Sequence, residues 1–222
     1  MTPSPRVALW RPITASVTVV ALLTFVGYVF WEQDWKWGLP TPCPSSLRQL
    51  PMGTQPELPL AVTARWTRGS GRPLYLHFFN PDCPCSRFSQ DHVRDLIRAH
   101  RGAVTIIAVI EPEGGTLPAR SVARVERDLG VPALLDGDGS LARALGVYSS
   151  PQAVLVTSGG ALYYRGNYNL ARYCTDARTA FAQLALESLR AGAAAFHAPR
   201  AATVAYGCPL PSTLVRPAQG AE

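Results

Sequence analysis

Residues 74–88 read LYLHFFNPDCPCSRF: an apolar run, a short turn, and two cysteines separated by one proline. Leu74 to Phe79 shows no polar alternation, which marks a strand buried on both faces. Behind it, Asp82 to Arg101 forms a helix that turns Phe88, Val93, Leu96 and Ile97 toward one side. Val104 to Ile110 (VTIIAVI) reads as a second buried strand. Strand, helix and strand together make a βαβ unit, with the cysteine pair at its first turn.

That turn is a place where thiols react. A cysteine at a helix N-terminus faces unpaired N–H groups and the positive end of the helix dipole, and both favour thiolate over thiol. Cys83 stands there. Pro84 suits the first helical turn, where its missing N–H costs nothing, and Asp82 is placed to cap. The charge of Asp82 opposes ionisation of Cys83, whereas Arg87 favours it. Side chains two apart on a helix point to different sides. A Cys83–Cys85 bond would therefore be strained and easily reduced.

Further along, strand and helix patterns continue to alternate, the signature of an α/β domain. Ala119 to Leu129 reads as a helix, Ala133 to Leu135 as a short strand and Leu141 to Leu145 as a short helix. The intervening DGDGS lacks the later glutamate of a calcium loop and reads as a turn with a helix cap. Ala153 to Thr157 and Leu162 to Arg165 form a hairpin across SGG. Asp176 to Arg190 is an amphipathic helix with Phe181, Leu184, Ala185 and Leu189 near helical spacing. No structure is assigned to residues 192–222, which are rich in Ala and Pro.

Toward the N-terminus, Pro12 to Trp31 runs twenty residues without a charge, or roughly 30 Å as a helix, enough to cross a bilayer. Arg6, Arg11 and the amino terminus precede it and no acid does, so the positive-inside rule keeps residues 1–11 cytoplasmic. Its end, GYVFWEQDW, has no small-x-small cleavage site, and its aromatics suit an interfacial belt. Residues 12–31 are accordingly expected to be an uncleaved signal anchor. Residues 32–59 follow as a linker; six prolines between positions 38 and 59 read as an extended spacer. The folded domain is expected over residues 60–191.

The chain has 222 residues, 47% of them hydrophobic, enough for one cored domain beyond the anchor. Its formal charge of +6 comes almost wholly from arginines scattered along the chain, Lys36 being the only lysine. Nucleic-acid binding, which wants a clustered basic footprint, is not expected. Export permits disulfides. Of the five cysteines, Cys43 and Cys208 lie in Pro-flanked segments, TPCP and YGCPLP. They read as a peripheral staple, or as one thiol open to acylation or mixed disulfides. Any complete pairing leaves one cysteine over.

The order β, Cys-bearing helix, β, helix, hairpin, helix over residues 60–191 resembles the thioredoxin-like superfamily. The anchor, the exported domain and the insertion before the hairpin resemble its TlpA/ResA-type thiol–disulfide proteins. HFFNPDCPC stands where that family has F-W-A-x-W-C-x-x-C, Ser150-Pro151 stands at its cis-proline, and Arg165-Gly166 at the glycine ending its last strand. The resemblance implies an α/β thioredoxin-like domain with a central mixed sheet flanked by helices, no cofactor, and thiol–disulfide exchange on protein substrates with a redox partner protein. It places the domain in the periplasm, on a single-pass protein of the bacterial inner membrane. Cys83, Cys85, Pro151 and His77 are its implied site residues. Pro151 would be cis, against the trans base rate of X-Pro bonds. His77 falls where thioredoxins hold a buried proton-transfer acid, a role open to histidine, though a core histidine fits the strand equally. In this topology Cys174 follows the last strand on the side of Cys83, so it is a candidate partner for Cys83 or Cys85.

Two other functions share the motif. A C-x-C pair of soft thiolates, Cys83 and Cys85, could hold Cu(I); related exported folds that deliver copper use a wider spacing and a downstream histidine. No histidine lies between His100 and His197. Peroxiredoxins also place Cys-Pro at this turn, but their threonine three residues earlier is Asn80 here. The absence of C-x-x-C-H excludes a c-type haem site.

Overall fold

A computed structural model describes residues 5–35, 39–170 and 176–214. The chain divides into two units, residues 1–39 and 40–222.

The first unit is the helix α1 (Pro5–Phe30), continued by a π-helical turn over Trp31–Trp35. Pro12–Gln33 is long and apolar enough to cross a membrane. Val17, Leu22, Leu23 and Phe25 are each more than half exposed, as a lipid-facing surface requires. The hydroxyls of Thr14, Thr18 and Thr24 each donate 2.9 Å bonds to carbonyls one turn back, so none is left unsatisfied in an apolar medium.

The second unit is a thioredoxin-like α/β domain. After a short helix α2 (Leu60–Thr63) come β1 (Leu74–Phe79), α3 (Pro84–His100) and β2 (Thr105–Ile110). Then follow α4 (Ala119–Leu129), β3 (Ala133–Leu135), α5 (Ser140–Leu145), β4 (Ser149–Ser150), β5 (Gln152–Val156) and β6 (Leu162–Gly166). The chain ends its described part with α6 (Phe181–Arg190), α7 (Arg200–Thr203), β7 (Cys208–Pro209) and α8 (Pro211–Leu214). The main sheet has the order β3-β2-β1-β5-β6. β1, β2 and β3 pair in parallel, and β5 and β6 are antiparallel additions.

β1 lies at the centre of the sheet, which is why its sequence is apolar except at His77. Leu74, Leu76 and Phe78 point into one core with Val62, Trp66, Leu141, Leu145, Val154 and Leu162. Tyr75 faces the other, among Val93, Leu96 and Ile97 of α3 and Phe181 and Leu186 of α6. The buried stripe of α3 runs Cys85, Ser86, Ser89, Val93, Leu96, Ile97, His100. Phe88, expected on that stripe, is 51% exposed; small polar residues fill the buried positions of the first turns. The DGDGS segment is a turn and cap as expected. Asp136 accepts from the N–H groups of Leu141 and Ala142 at 3.0 and 2.8 Å, at the start of α5, a type of contact that contributes about 1 kcal/mol.

The domain takes in residues on both sides of 60–191. Residues 40–59, read as a spacer, lie on the domain: Thr41 N–H donates to Ala205 O at 2.8 Å, Gly53 N–H to Leu162 O at 2.7 Å, and Leu162 N–H to Thr54 O at 2.8 Å. Residues 192–214 are likewise part of it. Ala202, Ala205 and Leu210 are fully buried, and the Asn167 amide donates to the carbonyls of Ala201 and Val204 at 2.9 and 2.8 Å.

Candidate functional site

The site lies where the C-terminal end of β1 meets the start of α3. Cys83 is the N-cap residue of α3, and Pro84 occupies its first turn. Asp82 makes no side-chain cap there; Asn80 shapes the turn instead, its Oδ1 accepting from Asp82 N–H at 2.8 Å and its carbonyl from Cys83 N–H at 3.2 Å. The hydroxyl of Ser150 ties the two halves together. It accepts from Asn80 N–H at 2.8 Å and lies 2.6 Å from the Ser86 hydroxyl, all three residues being buried. The Ser150–Pro151 peptide is cis, as the resemblance implied.

Cys83 bonds neither Cys85 nor Cys174. It forms a disulfide with Cys208, 125 residues away. The expected Cys43–Cys208 staple is therefore absent: Cys43 is an exposed thiol, and Cys85 a buried one. Cys174 lies outside the described residues. The sulfurs of Cys83, Cys85 and Cys208 all lie within 4.8 Å of one another. With exposures of 2%, 2% and 8%, they form one nearly closed cluster.

Cys208 reaches this position on a strand. Ser150 pairs with Cys208, and Ser149 with Pro209. Leu210 N–H donates to Tyr148 O at 3.0 Å, Ser149 Oγ to Cys208 O at 3.2 Å, and Thr41 Oγ1 to Gly207 O at 3.1 Å. Gly207 has φ +127°, and a Cβ there would come within 2.5 Å of the Ser150 carbonyl. Only glycine allows so close an approach at that backbone angle.

A cavity of about 20 Å³ borders the cluster, lined by Cys85, Ser89, Pro151, Asn167, Tyr168 and neighbours, with room for roughly one water. Tyr168 connects it to His77: its hydroxyl lies 2.7 Å from His77 Nδ1. Burial pushes the Tyr168 phenol up, so it stays protonated. Burial also pushes the His77 imidazole down to about 3. His77, stacked on Phe79 with ring centroids 4.9 Å apart, is thus neutral near pH 7. Its hydrogen bond to the Tyr168 hydroxyl holds that phenol, which lines the cavity where His77 itself does not.

This burial has a consequence for stability. Between pH 6.5 and about 3 the unfolded chain binds a proton at His77 that the folded protein refuses. The contribution of neutral His77 is therefore present above pH 6.5 and is lost as pH falls toward 3, with a slope up to about 1.4 kcal/mol per pH unit. His92 and His100, also lowered by burial, act in the same direction. Urea unfolding of wild type and His77→Gln across this range should show a shallower acid limb in the variant.

Sequence reasoning gave no site role to Ser150, Asn80, Ser86 or Tyr168, and it placed Cys208 in a peripheral staple rather than at the site.

A family model described as a domain of unknown function, DUF6436, matches residues 57–209. The chain belongs to this family. The DUF6436 match reaches Pro209, so it contains both halves of the Cys83–Cys208 bond. A search of curated proteins finds no match. Among solved structures, the chain is similar to a hypothetical protein of Sinorhizobium meliloti at 19% identity and TM-score 0.60, over 74% of this chain and 96% of that one. An uncharacterized conserved protein of Geobacillus kaustophilus matches at 19% identity and TM-score 0.59, over 78% and 97%. At these identities the likeness is one of fold. A secreted disulfide oxidoreductase of Mycobacterium tuberculosis also matches, at 19% identity and TM-score 0.39, over 55% and 82%.

Proposed function

We propose that this DUF6436 protein is a membrane-anchored, extracytoplasmic thiol–disulfide oxidoreductase that exchanges electrons with protein substrates through Cys83 and Cys208. The observation that carries this reading is the Cys83–Cys208 disulfide, set at the N-terminus of α3 with a third thiol, Cys85, in the same buried cluster. The helix start stabilises Cys83 as a thiolate, which makes it both the better leaving group and the sulfur that attacks.

In the reducing direction, the Cys83 thiolate attacks one sulfur of a substrate disulfide, and the other substrate sulfur leaves and takes a proton from water. The Cys208 thiolate then attacks Cys83 Sγ, reforming the internal disulfide and releasing the substrate as a dithiol. Two electrons pass from protein to substrate. Oxidation is the reverse sequence. Cys85 lies near enough to both sulfurs to act as an alternative resolving thiol. The apolar span Pro12–Gln33 anchors the protein, and Arg6 and Arg11 ahead of that span hold the N-terminus in the cytoplasm. A redox partner protein resets the disulfide from outside.

The test uses the full chain in detergent, oxidised and mixed with an excess of a reduced two-cysteine peptide. Substrate disulfide should appear one for one with loss of the Cys83–Cys208 bond. Exchange no faster than the uncatalysed reaction would refute the reading.

A further inference from the structure

The exchange reaction uses two sulfurs, and the cluster holds three. We infer that the reduced protein binds one Cu(I) ion through the thiolates of Cys83, Cys85 and Cys208, so that the disulfide and the metal are alternative occupants of one site. This goes beyond the exchange reading, and also beyond a C-x-C pair acting alone, because the third ligand is Cys208.

Preorganisation is the first argument. A trigonal ion with metal–sulfur bonds of about 2.3 Å, the length thiolates make to a d¹⁰ ion, sets its sulfurs ~4 Å apart. The three sulfurs already lie within 4.8 Å of one another. Breaking the disulfide does not release Cys208, because its strand is held independently of that bond. β7 pairs with β4, Leu210 is fully buried beyond it, and Thr41 holds the Gly207 carbonyl before it. Cys83 and Cys85 are fixed by the first turn of α3.

Chemistry selects the ion. Among the described residues the cluster offers three cysteine sulfurs and no histidine or carboxylate. Soft thiolates favour Cu(I), whereas Zn²⁺ completes a tetrahedron with a fourth ligand. Among the described residues no fourth protein ligand joins the three, and none of them is above 8% exposure. The N-terminus of α3, a helix of 17 residues, offsets part of the negative charge that the thiolates bring. Loading follows a balanced sequence. A dithiol reductant gives two electrons and two protons to the Cys83–Cys208 bond and becomes a disulfide. Each thiol that ligates then loses its proton to solvent, and copper stays Cu(I) throughout.

The test presents Cu(I), as its coloured bicinchoninate complex, to the full chain in detergent without oxygen. Reduced wild type should remove one equivalent, and oxidised protein none. Cys85→Ser and Cys208→Ser should each bind at least tenfold more weakly, and Cys43→Ser should match wild type. X-ray absorption of the loaded wild type should count three sulfurs per copper, a readout that holds even where a variant folds poorly. Two sulfurs per copper, full-strength binding by Cys208→Ser, equal uptake by the oxidised protein, or preference for Zn²⁺ would each overturn the inference. Substrate exchange is measured separately, so it can succeed where copper binding fails, and the reverse.

Discussion

Replacing Cys83 by serine is expected to abolish exchange, lowering the rate by on the order of a hundredfold or more, because a serine hydroxyl is not ionised near pH 7 and forms no disulfide. Neither remaining sulfur of the cluster can restore it. Cys85 lies on the buried face of α3 and Cys208 on a separate strand, so neither occupies the N-cap position that Cys83 holds. The variant keeps the fold, since Ser150, Asn80 and Ser86 shape the turn through atoms other than the Cys83 sulfur. Circular dichroism like that of wild type, together with exchange at background, is the predicted pair of results. Undiminished exchange would move the nucleophile to another cysteine.

Cys208→Ser is expected to lower stability by about 2–5 kcal/mol, because the lost bond closes a loop spanning 125 residues. For a domain of this size that corresponds to a melting temperature lower by roughly 4–20 °C. Reducing the wild type should produce a similar fall, and reducing the variant should add nothing. That non-additivity identifies the bond rather than the side chain as the cause. Cys43→Ser, at an exposed thiol outside any disulfide, should leave the melting temperature unchanged. Combining Cys208→Ser with Cys85→Ser should accumulate mixed disulfides with substrate on Cys83, since both thiols near enough to resolve them are gone.

The parts of the fold that were legible in the sequence are those whose burial leaves a local mark. β1 and β2 read as near-continuous apolar runs because both faces of each are covered, and the β5–β6 hairpin announced itself by its glycine turn. The start of α3 was legible from Cys83-Pro84, the proline standing in the first helical turn. The buried face of that helix was not, because Cys85, Ser86 and Ser89 line it where an apolar residue was sought. Residues 40–59 and 192–214 hid for a different reason. They attach through backbone bonds to distant partners, such as Thr41 N–H to Ala205 O and Asn167 N–H to Ala202 O, and such contacts impose no periodicity. The disulfide partner was the least legible element. Cys208 becomes the neighbour of Cys83 only once the C-terminal segment has folded back onto Ser149 and Ser150.

The central claim is that Cys83 and Cys208 form the redox pair, and mapping the disulfides tests it most directly. Thiols of the oxidised full chain are alkylated, the protein is digested without reductant, and cross-linked peptides are sequenced by mass spectrometry. The account predicts the segment containing Cys83 joined to that containing Cys208, with Cys85 and Cys43 alkylated. A Cys83–Cys85 or Cys83–Cys174 bond in its place would contradict it.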